Sequence, residues 1–122
     1  DTANLSSNLY YNSGASSNEH GYSIGGQRQS PSSLRFRTID KFPFAAEGDA
    51  SSSSDMQLNP GSGVSRATAS SSPSFGYVHG GNANSPYAIV DIQKFPFASV
   101  AAIADVGDLI TTNTNDHGAT DV

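Results

Sequence analysis

The sequence predicts an all-β protein made of two tandem antiparallel sheet units of about 50 residues each, and three observations predict it. First, Ser16-Ser17-Asn18-Glu19-His20-Gly21-Tyr22-Ser23-Ile24-Gly25-Gly26 aligns with Ser71-Ser72-Pro73-Ser74-Phe75-Gly76-Tyr77-Val78-His79-Gly80-Gly81 at an offset of 55, with six of eleven positions identical. Second, Ile39-Asp40-Lys41-Phe42-Pro43-Phe44-Ala45 aligns with Ile92-Gln93-Lys94-Phe95-Pro96-Phe97-Ala98 at an offset of 53, and Lys-Phe-Pro-Phe-Ala is unchanged between them. Third, β-branched and aromatic residues come in short groups bounded by Gly, Pro, Ser and Asn, and no stretch keeps a 3.6-residue period. The 53-residue shift also sets Asp55-Met56 over Asp108-Leu109, and Asn4-Leu5 opens the first copy in the same style. Residues 1–57 are therefore expected to form the first unit and 58–110 the second. Residues 111–122 would begin a further unit or connect to the next copy, since Ala119-Thr120-Asp121-Val122 echoes Ile103-Ala104-Asp105-Val106.

Taken in chain order, His20 to Ile24 reads as a strand ending at the Gly25-Gly26 pair, where the missing Cβ allows a sharp turn or a close backbone approach. Phe36 to Phe44 reads as a longer strand, with Asp40, Phe42 and Phe44 on one face and Ile39 and Lys41 on the other. Pro43 cannot donate to a ladder, so it belongs at an edge, a bulge or a strand end. The polar tracts Ser51 to Ser54 and Asn59 to Ser72 read as turns or loops. In the second copy Phe75 to His79 repeats the short strand before Gly80-Gly81, and Tyr87 to Phe97 repeats the long one with Pro96 in the place of Pro43. Ser99 to Val106 suits a single helical turn. Apolar groups on both faces of a strand require a cover on both sides, so two units are expected to need neighbouring copies alongside.

Composition removes several functions. Only 35% of the chain is apolar, which argues against a large single core. The net charge of −5, with two Lys and four Arg against eleven acids, leaves no basic stripe for a phosphate backbone, so nucleic acid is not an expected partner. The absence of Cys excludes disulfides, thiolate metal sites and thiol nucleophiles. No apolar run approaches the length of a membrane span. A start at Asp1 rather than Met suggests a processed form or a segment of something longer.

Comparing the two copies separates scaffold from candidate site. Gly25, Gly26, Gly80, Gly81, Tyr22, Tyr77, Ile39, Ile92 and the triplets Phe42-Pro43-Phe44 and Phe95-Pro96-Phe97 recur in both, as packing and turn residues do. Lys41 and Lys94, the only lysines, share one position and are expected either to meet a carboxylate such as Asp55 or Asp108 or to be solvated strand residues. His20 and His79 do not recur, so no repeated metal site is expected. Asn113-Thr114-Asn115-Asp116-His117-Gly118 lacks the closing Glu of a calcium loop and reads as a turn. Asp105 and Asp108 flank Gly107 and read as a turn rather than a catalytic pair. Arg28, Arg35 and Arg37 cluster in the first copy only, and either pair with acids on a neighbouring subunit or form a solvated face. The expected catalytic set, metal and cofactor are none. The best binding candidates are Tyr10, Tyr11 and Asn12, with Asn82, Asn84 and Tyr87, because Tyr- and Asn-rich loops offer stacking and adaptable hydrogen bonding suited to a cell-surface glycan.

The pattern Gly-Tyr-x-x-Gly-Gly, with Gly25-Gly26 and Gly80-Gly81 as the doublets, resembles the blade of kelch β-propellers, and Phe-Pro-Phe stands where those blades carry a Trp. Together with Lys-Phe-Pro-Phe-Ala and Asp-Val-Gly-Asp-Leu it resembles, over nearly the whole chain, tandem repeats in virion proteins of marine bacteriophages, tail-fibre-like proteins among them. The resemblance implies propeller-blade-like units, an extracellular or virion-surface location and a structural or adhesive, non-enzymatic role. The expected function is a repeat module of a phage fibre or virion-surface assembly that associates with identical copies. The alternatives are a lectin-like glycan-binding module and a subunit of a secreted extracellular filament.

Overall fold

A computed structural model describes residues 4–28, 34–46, 48–57, 63–83 and 88–112. In chain order its strands are β1 (Ser13–Ser16), β2 (His20–Ile24), β3 (Gln27–Arg28), β4 (Leu34–Arg35), β5 (Thr38–Pro43), β6 (Ser51–Asp55), β7 (Val64–Ser65), β8 (Thr68–Ser71), β9 (Phe75–His79), β10 (Asn82–Ala83), β11 (Asp91–Pro96) and β12 (Ala104–Asp108). The protein is all-β, with two four-stranded antiparallel sheets in spatial order β1-β2-β5-β6 and β8-β9-β11-β12. Each sheet has the up-and-down order of a propeller blade. Two short ribbons, β3 with β4 and β7 with β10, complete the pairing.

The duplication in the sequence is a duplication of backbone geometry. β1 and β2 recur as β8 and β9 at an offset of 55, and β5 and β6 recur as β11 and β12 at 53. The ladder slips at the same point in both, between Ile39 and Asp40 and between Ile92 and Gln93. The first hairpin of each unit is closed alike: Ser17 N–H donates to His20 C=O at 2.9 Å, and Ser72 N–H to Phe75 C=O at 2.8 Å. The glycine doublets are left-handed, with φ of 61° and 111° at Gly25 and Gly26 and 62° and 101° at Gly80 and Gly81. An L side chain would be strained there, which explains why Gly occupies all four positions.

The core lies between the sheets. Along β2, β1 and β5 the residues Tyr22, Ile24, Ala15 and Ile39 share a face, and all are buried. They pack against Ala69, Val78 and Phe95 of the second sheet, also buried. The Tyr22 ring meets Phe95 edge-on at 5.6 Å between centroids and stacks on Phe97 at 5.0 Å. Met56 and Val64, from the crossing between units, complete the cluster together with Ala83, Ile89, Val100 and Ile103. The joint therefore uses opposite faces of the two units. Register puts Phe42 beside Gly21 and Phe95 beside Gly76, on the face away from Tyr22 in the first unit and away from Tyr77 in the second.

His20–Ile24 and Phe75–His79 form as expected, and the long strands are shorter than expected, ending at Pro43 and Pro96. The Ser51 to Ser54 tract is not a loop but part of β6, and within the Asn59 to Ser72 tract the described residues carry β7 and β8. Serine has little preference for a strand, but a ready ladder partner overrides propensity. Ser54 pairs with Ile39 and Ser71 with Gly76. The stretch Ser99 to Val106 divides into one 3₁₀ turn at Val100–Ala102 and the start of β12.

Candidate functional site

Where the two units meet, the β1–β2 hairpin and the ends of β2 and β5 enclose a cleft of about 400 Å³ with the second unit. Ser17, Asn18, Glu19, His20, Tyr22 and Lys41 form one wall; Pro73, Phe97 and Ala98 form the other. The register explains the polar wall, because Tyr22 lies opposite Lys41 and His20 opposite Pro43 on the face turned to the second unit. Ser17 is occupied by the turn, its Oγ accepting the His20 N–H at 3.1 Å and the Glu19 N–H at 3.4 Å. The Tyr22 hydroxyl is buried beside the Ser17 side chain, and among the described residues it makes no hydrogen bond of good geometry. Burial raises its pKa above the ordinary value, the Ser17 side chain opposes that rise, and the Glu19 charge adds to it. A carboxylate, an ammonium group, an imidazole, a phenol and an aromatic wall thus line a cleft that can offer hydrogen bonds in both directions and a stacking surface.

The expected binding loops lie elsewhere. Tyr10, Tyr11 and Asn12 precede β1, whereas the cleft adjoins its far end. Tyr10 exchanges both backbone hydrogen bonds with Gln27, and Asn12 Nδ2 donates to Ser23 Oγ at 2.7 Å. Tyr11, half exposed, carries the Arg66 guanidinium 4.4 Å above its ring, and both residues have φ of 58°. Asn82 pairs with Ser65 in β10–β7, and its Oδ1 is buried without a partner among the described residues. These residues are linked through Ser65–Arg66 into one structural corner. Asn84 and Tyr87 lie outside the described residues, as does the segment containing His117.

Several pairings differ from expectation. Lys94 places its Nζ 3.8 Å from the Phe75 ring centroid, while Lys41 lines the cleft, and neither lysine forms an ion pair among the described residues. Asp55 instead meets Arg37 at 3.1 Å, within the first unit. Arg35 Nε donates to Ser65 Oγ at 3.1 Å, and Arg28 sits over Phe36, so the arginines serve local contacts. Asp105 and Asp108 lie on β12 beside Asp91 of β11, and no group of acids and histidines among the described residues could hold a metal ion. Among the described residues no helix is long and apolar enough to cross a membrane. Glu19 and Lys41 escaped notice as site residues because the pairing of β2 with β5 that sets Lys41 opposite Tyr22, and the packing of Pro73, Phe97 and Ala98 across from them, are not legible in local spacing. No protein-family model and no curated protein matches the chain.

Proposed function

We propose that this protein is a non-enzymatic repeat module that builds an extracellular or virion-surface structure by associating with copies of itself. The observation that carries the reading is unequal burial at matched positions: Tyr22 is 2% exposed and Phe95 0%, while Tyr77 and Phe42, their counterparts, remain half-buried on outer faces. Two equivalent units that each need covering on both faces, with one face of each left open, fit a component of a larger array. The resemblance of the repeats to tail-fibre-like virion proteins gives the phage appendage as the setting. Sedimentation of the chain over a wide concentration range tests this. Concentration-dependent oligomers are expected, and a monomer at every concentration would refute it.

The cleft supports a second reading, glycan binding at the junction of the units. Tyr22, Lys41, Glu19 and the Phe97 wall have the mixture of stacking surface and hydrogen-bonding groups that a sugar requires. A glycan array probed with the wild type and with Lys41→Ala should give signals that the substitution weakens; no signal above background removes the reading.

A further inference from the structure

We propose that a second copy of this chain docks head-to-tail, its Phe42 and Phe44 receiving Tyr77 of the first copy as Phe95 and Phe97 receive Tyr22 within one chain. This rests on the self-associating reading above and specifies its joint. The internal joint is heterologous, a Tyr22 face against a Phe95 face. Because the units are copies, each has both faces, and one chain is left with one unused face of each kind. The matched residues bear this out. Phe44 is 56% exposed where Phe97 is partly buried, and His79 and Ile92 are half-buried where Ile24 and Ile39 are 1% and 0% exposed.

The backbone carries the same message independently. Within the chain, Gly26 N–H donates to Val64 C=O at 2.7 Å and Val64 N–H donates to Phe36 C=O at 2.9 Å, which stitches the second unit's lead-in to the first unit. At the matched positions, Gly81 N–H and Ile89 C=O make no such bond among the described residues. Leu9, the counterpart of Val64, likewise makes no backbone hydrogen bond through its N–H or C=O among the described residues. Leu9 of the docking copy thus supplies the acceptor for Gly81 and the donor for Ile89. One further contact of the internal joint has a counterpart within the first unit. Gln93 holds the Gln57 backbone at 2.9 and 2.6 Å, and at the matched position of the first unit Asp40 Oδ2 accepts from the Ser6 N–H and hydroxyl of its own chain at 3.1 and 2.6 Å, while Oδ1 has no partner among the described residues. A contact between unlike faces propagates into a ring or a filament, whereas a like-to-like contact stops at a dimer.

Two one-sided blocks test the joint. Tyr77→Glu spoils one outer face and Phe44→Glu the other; circular dichroism and thermal melting establish that each variant is folded, and Leu9→Pro provides an independent block of the Phe44 side. Each variant alone is expected to sediment at the 12.6 kDa chain mass. An equimolar mixture of Tyr77→Glu and Phe44→Glu is expected to give a species of twice that mass and nothing larger. If the wild type assembles and either folded variant still self-associates alone, the joint is wrong while self-association stands. If the wild type stays monomeric up to about 1 mM, where even weak contacts are populated, both readings fail.

Discussion

Phe95 and Phe42 occupy the same position of the two units, and a glycine opposite each lets the ring lie down on its own sheet. A Cβ on Gly76 would collide with the Phe95 ring, and one on Gly21 with the Phe42 ring. The consequences differ because Phe95 is closed in by Tyr22 while Phe42 faces outward with room to turn. In dilute, unassembled protein, Gly76→Ala is expected to cost about 1–3 kcal/mol, the usual range for overpacking, and Gly21→Ala distinctly less. Phe95→Ala should likewise cost about 3–5 kcal/mol and Phe42→Ala a smaller amount. Urea unfolding of the four variants checks the order, and equal losses within either pair would contradict it.

At the scale of elements, the outer strands show how little intrinsic propensity decides. β6 reads Ser-Ser-Ser-Ser-Asp, yet it pairs with β5, and Ser53 Oγ donates to Ile39 C=O at 2.8 Å. Its counterpart β12 crowds acids: Asp91 of β11 pairs directly with Asp108, and Asp105 lies nearby. Burial above all, then the charges of Asp105 and Asp108, raise the Asp91 pKa above the ordinary 3.8, against a smaller opposing effect of its own backbone hydrogen bond. A carboxyl that holds its proton more tightly when folded than when unfolded favours the folded state at acid pH. That advantage is lost as pH rises from 3.8 through the raised folded value, and above it the ionised group is a net cost. Asp91→Asn should therefore melt at a higher temperature than the wild type at about pH 7, with the difference vanishing near pH 3. Thermal melts at the two pH values measure this, and a gain that persists undiminished in acid would be inconsistent with it.

For the whole molecule, the buried side chains that matter most belong to neither unit alone. Tyr22, Ile24 and Ile39 from the first unit and Val78 and Phe95 from the second bury one another, with Met56 and Val64 between them. A separate unit would expose this face and keep only its ladder hydrogen bonds, and units of about 50 residues are marginal even with a core of their own. Residues 1–57 and 58–122 expressed separately are expected to give collapsed amide dispersion in NMR spectra, and the intact chain a dispersed one. A folded spectrum from either half would show that the joint is dispensable.

The sequence by itself determined the repeat, its two offsets, the strand class, the glycine doublets as sites of a sharp turn or close approach and the face that Phe42 shares with Asp40, because each follows from local spacing, period and backbone sterics. It also confined Pro43 and Pro96 to an edge, a bulge or a strand end, since a residue without an N–H cannot continue a ladder, and the structure selects the strand end for both. Only the tertiary structure decided that serine tracts would become strands, that Lys94 would sit on Phe75 rather than beside an acid, and that Glu19, His20, Tyr22 and Lys41 would line one cleft. Those outcomes depend on which strand edge and which neighbouring face each segment meets. Two identical stretches of sequence can therefore end with one aromatic buried and its twin in contact with solvent, because burial is a property of the neighbour and not of the residue.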